Sequence, residues 1–122
     1  MNLKRASEIE HKLPLGKSDS DYPYSKSDKI FTTDQLFLYS EQVSPGRNAS
    51  APHFHRSIDE IIYMVRGELV AHEGEDKVTI KAGDSICFKA NTGKKHYLQN
   101  TSNKIAEFLL FRQNLKDEDI IY

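Results

Sequence analysis

The sequence predicts an all-β protein in which short strands form a sandwich or barrel. Two observations support this prediction. Short runs rich in apolar, aromatic and β-branched residues recur along the chain, and turns containing Gly, Asn or Asp separate them. No segment shows the 3.6-residue apolar period that marks an amphipathic helix. With 122 residues, the chain can bury one core but is too short for two domains.

The predicted strands begin at Ile30 and continue to Phe111. They span residues 30–31, 35–43, 60–66, 68–72, 77–81, 85–89, 96–100 and 105–111. Val78 and Ile80 alternate with Lys and Thr, so we expect both to point into the core. The last run, IAEFLLF, is the most hydrophobic and is expected in the centre of a sheet. The polar tail is expected to form a short helical turn over residues 114–119.

The N-terminal segment is expected to lie outside the barrel. It is polar, rich in Lys, Ser and Asp, and interrupted by two prolines and a glycine. Because such a segment cannot fill a core, we divide the chain into an N-terminal arm, residues 1–29, and a barrel domain, residues 30–122. The arm is expected either to lie over the barrel or a partner subunit, with Tyr22 and Tyr24 as contacts, or to form a partly disordered tail.

Composition and charge exclude several classes of protein. The chain carries 17 basic and 18 acidic residues, so it lacks the charge imbalance expected for binding nucleic acid or a membrane surface. No apolar run approaches the roughly 18 residues that span a bilayer, and the charged N-terminus lacks the apolar segment of a secretory signal. Cys87 is the single cysteine, which excludes an internal disulfide and agrees with a reducing compartment. We therefore expect a cytoplasmic protein.

Two histidines and a glutamate in one short stretch indicate a metal site. His53 and His55 lie two residues apart, so in a strand both imidazoles point to one face. Glu60 follows after a gap that fits a turn, and His96 lies in a later strand segment. Nitrogen and oxygen ligands of these types suit a first-row transition metal. A lone histidine in a strand is more often a surface or core residue, so the hypothesis depends on all four residues converging.

The same stretch resembles the first of two sequence motifs of the cupin superfamily. That motif is usually written G-x5-H-x-H-x3or4-E-x6-G. It is matched here by Gly46, His53, His55, Glu60 and Gly67, except that six residues rather than five follow the first glycine. The spacing of the two histidines and the glutamate makes this motif a specific signal.

The second cupin motif is matched less closely. It is usually written G-x5-P-x-G-x2-H-x3-N, and Gly83, Gly93, His96 and Asn100 follow it. Asn91 stands in place of the proline, and two extra residues precede it. The asparagine that ends the motif is expected to secure a strand end by hydrogen bonding to the backbone. With both motifs, the resemblance covers most of the predicted barrel.

Resemblance to cupins implies a double-stranded β-helix, the jelly-roll barrel of this superfamily, with a metal ion at its centre. It implies that the metal ligands are His53, His55, Glu60 and His96. One divalent ion of Fe, Mn, Zn, Ni or Cu suits this ligand set, and ligand type alone does not choose among them. Within the superfamily, the chain resembles small single-domain bacterial cupins of uncharacterised function, a group in which homodimers are common.

The resemblance leaves two functions open. One is a metalloenzyme acting on a small polar molecule, either a dioxygenase or a sugar isomerase or epimerase. The other is a non-catalytic module that binds metal or a small ligand such as a sugar. Fold membership does not choose between them, and the motifs contain no obvious general base, so no catalytic residue is assigned. Tyr63, Tyr97 and Cys87 are expected to be packing residues, the last with a buried, unreactive thiol.

Outward-facing apolar residues predict self-association. We expect Tyr63, Val65, Phe108 and Leu110 on the outer face of the barrel, and one small barrel cannot cover them all. The sequence therefore predicts a homodimer that buries a sheet face. A small-molecule ligand or substrate is the other expected partner.

Overall fold

The computed structural model of the chain describes residues 1–117 and 119–122. Within these residues the chain forms one short 3-10 helix, Ala6–Glu8, and ten strands. The strands are β1 (Lys26–Thr32), β2 (Leu36–Val43), β3 (Phe54–His55), β4 (Glu60–Arg66), β5 (Glu68–Glu73), β6 (Asp76–Lys81), β7 (Ser85–Phe88), β8 (His96–Gln99), β9 (Ala106–Gln113) and β10 (Ile120–Ile121). The all-β prediction is confirmed.

The strands form two main antiparallel sheets and a small one. The larger sheet has the order β1-β2-β9-β4-β7, and the smaller one has the order β6-β5-β8. The short strands β3 and β10 pair with each other. Strand β9, the most hydrophobic run, lies in the centre of the larger sheet, as predicted. Among the described residues, no helix is long and apolar enough to span a membrane.

The core lies between the two main sheets. Its members are apolar residues on the facing sides of the strands, and they include Val43, Ile62, Met64, Leu69, Ile80, Leu98 and Phe108. The prediction that Phe108 faces outward is wrong, because it pairs with Met64 in register and is only 2% exposed. Leu110 has the same parity and packs against the core. The sequence does not show which residues of β9 face the core, because its apolar run does not alternate with polar residues.

Two further predictions about burial are wrong. Val78 is 52% exposed although Ile80, on the same strand, is buried. The reason is that Val78 lines an open cleft between β6 and β7, two edge strands that do not pair. Cys87 is exposed rather than buried. Its neighbours Ile86 and Phe88 pack inward, so the strand alternation turns the thiol to the outer face.

The outer face of the larger sheet carries a group of exposed apolar side chains. Ile61, Tyr63 and Val65 on β4 are 45%, 46% and 41% exposed, and Phe111 on β9 is 39% exposed. Ile61 pairs directly with Phe111, so the group is continuous across both strands. We call these four residues the outer patch. The arrangement agrees with the outward orientation predicted for Tyr63 and Val65.

Part of the N-terminal segment lies on the same sheet. His11 Nε2 is 2.8 Å from Ser40 Oγ, and the backbone of Lys12 forms an antiparallel pair of hydrogen bonds with that of Ser27 on β1. Ser40 is buried although its parity on β2 is opposite to that of the core residue Val43. Strand β1 begins at Lys26 rather than at Ile30. The division into an arm, 1–29, and a barrel, 30–122, stays a prediction.

The described residues of the C-terminal segment, 114–117 and 119, do not form the helical turn predicted over residues 114–119. Residues 114–117 are irregular, and Glu118 lies outside the described residues. The backbone N–H of Asn114 donates to Gln35 O at 2.9 Å, and its side-chain amide donates to Thr33 O at 2.8 Å. These bonds hold the start of the tail against the turn between β1 and β2, so its polar groups are satisfied without a helix.

Candidate metal centre

Short elements from distant parts of the chain bring the predicted ligands together. His55 is on β3, Glu60 begins β4 and His96 begins β8. His53 precedes β3 and exchanges backbone hydrogen bonds with His96, at 3.2 Å from His53 N to His96 O and 2.7 Å from His96 N to His53 O. This bridge fixes the register between the segments that carry the two sequence motifs.

The three imidazoles converge on the carboxylate of Glu60. Its Oε1 atom is 2.8 Å from His96 Nε2, 3.2 Å from His55 Nε2 and 3.6 Å from His53 Nε2. Ligand atoms of His53, Glu60 and His96 all lie within 4.8 Å of one another, a spacing that could hold a metal ion. His55 joins the cluster through its contact with Glu60, but it is not one of the three residues whose ligand atoms all lie within that distance. All four residues are buried.

Hydrogen bonds on the far side of two imidazoles orient them toward the cluster. His53 Nδ1 is 2.7 Å from Ala51 O, and His55 Nδ1 is 2.8 Å from Asp119 Oδ1. With each Nδ1–H donating to its oxygen, Nε2 is the ring atom that faces Glu60, and the neutral ring keeps the Nε2 lone pair for a metal ion. Sequence reasoning missed Asp119, since it lies in the polar tail and reaches the site only because β10 pairs with β3.

His96 is held in a different way. Its ring stacks on Phe88, with 4.1 Å between the ring centres and 3° between the planes. Its Nδ1 atom is buried and has no hydrogen-bond partner among the described residues. The orientation of this imidazole therefore depends on packing and on its Nε2 contact with Glu60.

Hydrogen bonds within the cluster shift the pKa values of its carboxylates and of His55. Burial would raise the pKa of Glu60, but hydrogen bonds from His53, His55 and His96 outweigh it and hold that pKa well below its usual range. Burial would lower the pKa of His55, yet hydrogen bonds to Glu60 and Asp119 leave it raised. For Asp119, burial is outweighed by hydrogen bonds from His55 and the backbone N–H of Ser57, so its pKa is lowered. A buried carboxylate among imidazole nitrogens fits a divalent transition metal ion.

The cluster faces a cavity of about 310 Å³. Apolar side chains such as Ile62, Phe108 and Leu110 line part of it, and Glu41 and Arg112 add a second group of charged side chains. Burial raises the pKa of Glu41 to about 7, although a hydrogen bond from Ser25 opposes the shift. Sequence reasoning missed both charged residues because they lie on β2 and β9, outside the two motifs.

Two packed antiparallel sheets around a buried cluster of histidines and a carboxylate define a jelly-roll protein with a candidate metal site. The family comparison agrees with this class. The model of the cupin domain family matches residues 39–112, and the chain therefore belongs to the cupin domain family. The predicted superfamily and the cupin double-stranded β-helix are confirmed.

Known proteins similar to this chain differ in their described activities. Over 72 residues the chain is 38% identical to the oxalate-binding protein of Thermotoga maritima. The aligned stretch covers 59% of this chain and 58% of that protein. The structure of a sugar phosphate isomerase from Silicibacter pomeroyi superposes on this chain with a TM-score of 0.81 at 19% sequence identity. The match covers 93% of this chain and 76% of the isomerase chain. The structure of a predicted oxalate decarboxylase from Thermotoga maritima superposes with a TM-score of 0.66 at 27% sequence identity. The match covers 75% of this chain and 81% of the decarboxylase chain.

Proposed function

We propose that this protein is a metal-dependent enzyme that acts on a small polar molecule. His53, His55, Glu60 and His96 hold one divalent transition metal ion, of Fe, Mn, Zn, Ni or Cu. The observation that carries the proposal is the buried His and Glu cluster opening onto a cavity of about 310 Å³, within the size range of small-molecule sites. When bound, such an ion would polarise a substrate oxygen or, if it is iron, support oxygen chemistry.

The cavity favours a sugar isomerase or epimerase over a dioxygenase. Isomerisation and epimerisation require a group that accepts and returns a proton, and such groups work best with a pKa near the operating pH. Glu41 lines the cavity and its pKa is raised to about 7 by burial. A sugar phosphate isomerase is among the proteins that share this fold, but the preference for this class rests on Glu41, because fold alone does not define an activity.

A non-catalytic binding module is the second candidate. Its support is the 38% identity to an oxalate-binding protein. Such a module would use the same metal ion to hold a small dicarboxylate and would need no proton-transfer group. The two candidate functions therefore share the metal centre, and only the enzyme would convert its bound ligand into a product.

Metal analysis of the purified protein tests the shared part of the proposal. We expect near-stoichiometric transition metal in the wild type and its loss in His96→Ala. His72→Ala is a matched control, because His72 contacts Gln99 and stacks on Tyr97 rather than joining the cluster. No metal in the wild type after reconstitution would contradict the proposal.

Activity assays separate the candidates. Interconversion of sugar phosphates or oxygen uptake by the metal-loaded protein, abolished in His55→Ala, would identify an enzyme of the corresponding class. Tight binding of oxalate without turnover of any substrate would favour the binding module.

We also propose that the protein forms a homodimer through the outer patch. Four neighbouring apolar side chains exposed on one sheet face are typical of an association surface. The cytoplasmic location inferred from the single cysteine stays a prediction.

A further inference from the structure

Arg112 lines the cavity with one of its guanidinium donors unpaired. Its Nε atom is buried and lacks a hydrogen-bond partner among the described residues. The guanidinium carbon lies 4.5 Å from the centre of the Phe37 ring, so one face of the group is occupied by stacking. The Nε–H lies in the plane of the guanidinium, so stacking on Phe37 leaves this donor available for a ligand. A buried unpaired donor on a cation is costly, which makes a bound anion the natural partner.

The register between the strands of the larger sheet places Arg112 beside the metal centre. It pairs with Glu60 on one side and with Phe37 on the other, and residues paired in this way point to the same sheet face. The positive charge therefore lines the same cavity as the cluster. A bound divalent ion beside Arg112 would add to the positive charge on this side of the cavity, which favours an anionic ligand.

Glu41 supplies a hydrogen-bond acceptor on the same wall. It has the inward parity of Val43 on β2, and its Oε1 atom accepts a hydrogen bond from Ser25 Oγ. Ser25 also donates to Ala49 O at 3.0 Å, which anchors the hydroxyl. Because a carboxylate has two oxygens and several lone pairs, Glu41 can also accept from a ligand hydroxyl. Ser27 adds another hydroxyl to the cavity wall.

We propose that Arg112 and Glu41 form a subsite for an oxyanion that also carries hydroxyl groups, such as a sugar phosphate or a hydroxy acid. Arg112 binds the phosphate or carboxylate, and Glu41 accepts a hydrogen bond from a hydroxyl. The inference deepens the proposed function and rests on it for the metal. It also distinguishes ligands, since oxalate offers an oxyanion but no hydroxyl.

Calorimetric binding of three probes to the metal-loaded protein tests the role of Arg112. The probes are fructose 6-phosphate, inorganic phosphate and oxalate. Arg112→Gln is expected to weaken the binding of fructose 6-phosphate by about 10- to 100-fold, the effect of losing a charged hydrogen-bond pair. Arg66→Gln removes a charge from the outer face, where Arg66 contacts Glu107, and is expected to bind as the wild type does. Equal affinity in Arg112→Gln, or no binding of any probe to the wild type, would overturn the subsite.

A second pair of variants tests Glu41. Glu41→Leu removes the acceptor and is expected to weaken fructose 6-phosphate about 5- to 20-fold while changing oxalate and inorganic phosphate less than threefold. Glu41→Gln keeps a carbonyl acceptor and is expected to retain most of the affinity. If Glu41→Leu weakened all three probes equally, or none of them, the assignment of Glu41 to a ligand hydroxyl would be wrong.

Metal content measured on each variant separates the two proposals. Arg112→Gln and Glu41→Leu are expected to keep the metal of the wild type, since neither residue belongs to the cluster. Full metal content with unchanged probe binding would overturn the subsite and leave the metal centre standing. A wild type without metal would overturn the metal centre, whereas Arg112-dependent phosphate binding to that protein would still support the subsite.

Discussion

Asp119 connects the C-terminal segment to the candidate metal centre through a single imidazole, that of His55. Its Oδ1 atom accepts from His55 Nδ1 at 2.8 Å, and its Oδ2 atom accepts from the Ser57 backbone N–H at 2.7 Å. The carboxylate therefore fixes both the ring of His55 and the turn that follows it. Partners of this kind orient metal-binding histidines and raise their basicity.

Replacing Asp119 by Asn is expected to weaken metal binding about 10- to 100-fold. The amide lacks the negative charge that favours donation from His55 and can present N–H groups to it instead. Competition with a chelator of known affinity measures the effect. Asp117→Asn, which changes an exposed carboxylate in the same tail, is expected to bind metal as the wild type does. Equal affinity of the two variants would contradict a role for Asp119 in positioning His55.

Glu41 gives the metal-free protein a distinctive dependence of stability on pH. Burial raises its pKa from 4.5 to about 7. Between these values the unfolded chain has released a proton that the folded chain keeps, so the free energy of unfolding falls as pH rises, and it levels above about pH 7. Glu41→Gln removes this contribution. Between pH 5 and pH 8, the free energy of unfolding of the variant is expected to rise by about 2–3 kcal/mol relative to that of the wild type.

Urea unfolding of both proteins at the two pH values measures this difference. Groups common to both proteins cancel in the comparison, which isolates the contribution of Glu41. A constant difference between wild type and variant would show that Glu41 titrates normally in the folded protein.

At the scale of elements, the link between β4 and β5 joins the two main sheets through Gly67. Its φ is +72°, a conformation that side-chain-bearing residues rarely adopt. A Cβ atom here would lie 2.8 Å from Ile105 O and 2.9 Å from Ala106 Cα. Since both neighbours are backbone, they cannot move aside as a flexible side chain would. The close approach lets the chain cross between sheets at the edge of the core.

We expect Gly67→Ala to lower the free energy of unfolding by about 2–4 kcal/mol, combining backbone strain with the contact to backbone atoms. Gly46→Ala is the matched control. Its φ is +80°, and nothing lies within 4 Å of the added Cβ atom. This control is expected to cost only the strain, about 1–2 kcal/mol. Similar losses in both variants, measured by urea unfolding, would show that the link between the sheets has room for a methyl group.

The strands were predictable from short apolar and β-branched runs between turns, but the orientation of their side chains was predicted only in part, since Val78 in the alternating run of β6 is exposed. On β4, Ile62 and Met64 share the parity of Glu60 and are buried with it. On β9, the run from Phe108 to Phe111 is uniformly apolar, so its phase was fixed only by register with β4. Alternation itself places Cys87 outward once its two neighbours are known to face the core.

The predicted ligands come from local motifs, whereas the rest of the cavity depends on long-range pairing. His53, His55 and Glu60 lie close together in the sequence, and the spacing alone suggested a site. Glu41 and Arg112 belong to strands that enter the cavity only through the order of the larger sheet. Their roles could not be inferred without that order, because a charged residue in a strand is usually exposed.

At the scale of the whole molecule, the outer patch is the feature that a single chain leaves unexplained. Part of the N-terminal segment covers the neighbouring region of the sheet around Ser40, but Ile61, Tyr63, Val65 and Phe111 stay exposed. Burying such a surface against a second copy would release water from apolar side chains on both partners. A two-fold arrangement would place the same patch on both sides of the interface.

We therefore expect the wild type to sediment at twice the chain mass of 14.0 kDa at micromolar concentration. Tyr63→Lys places a charge in the middle of the patch and is expected to sediment at the mass of one chain, because burying an unpaired charge opposes association. Val78→Lys is the matched control, since Val78 is exposed on the other sheet. It is expected to leave the dimer intact. A wild type that sediments as a single chain would exclude the dimer, and dissociation of both variants would show that the interface lies elsewhere.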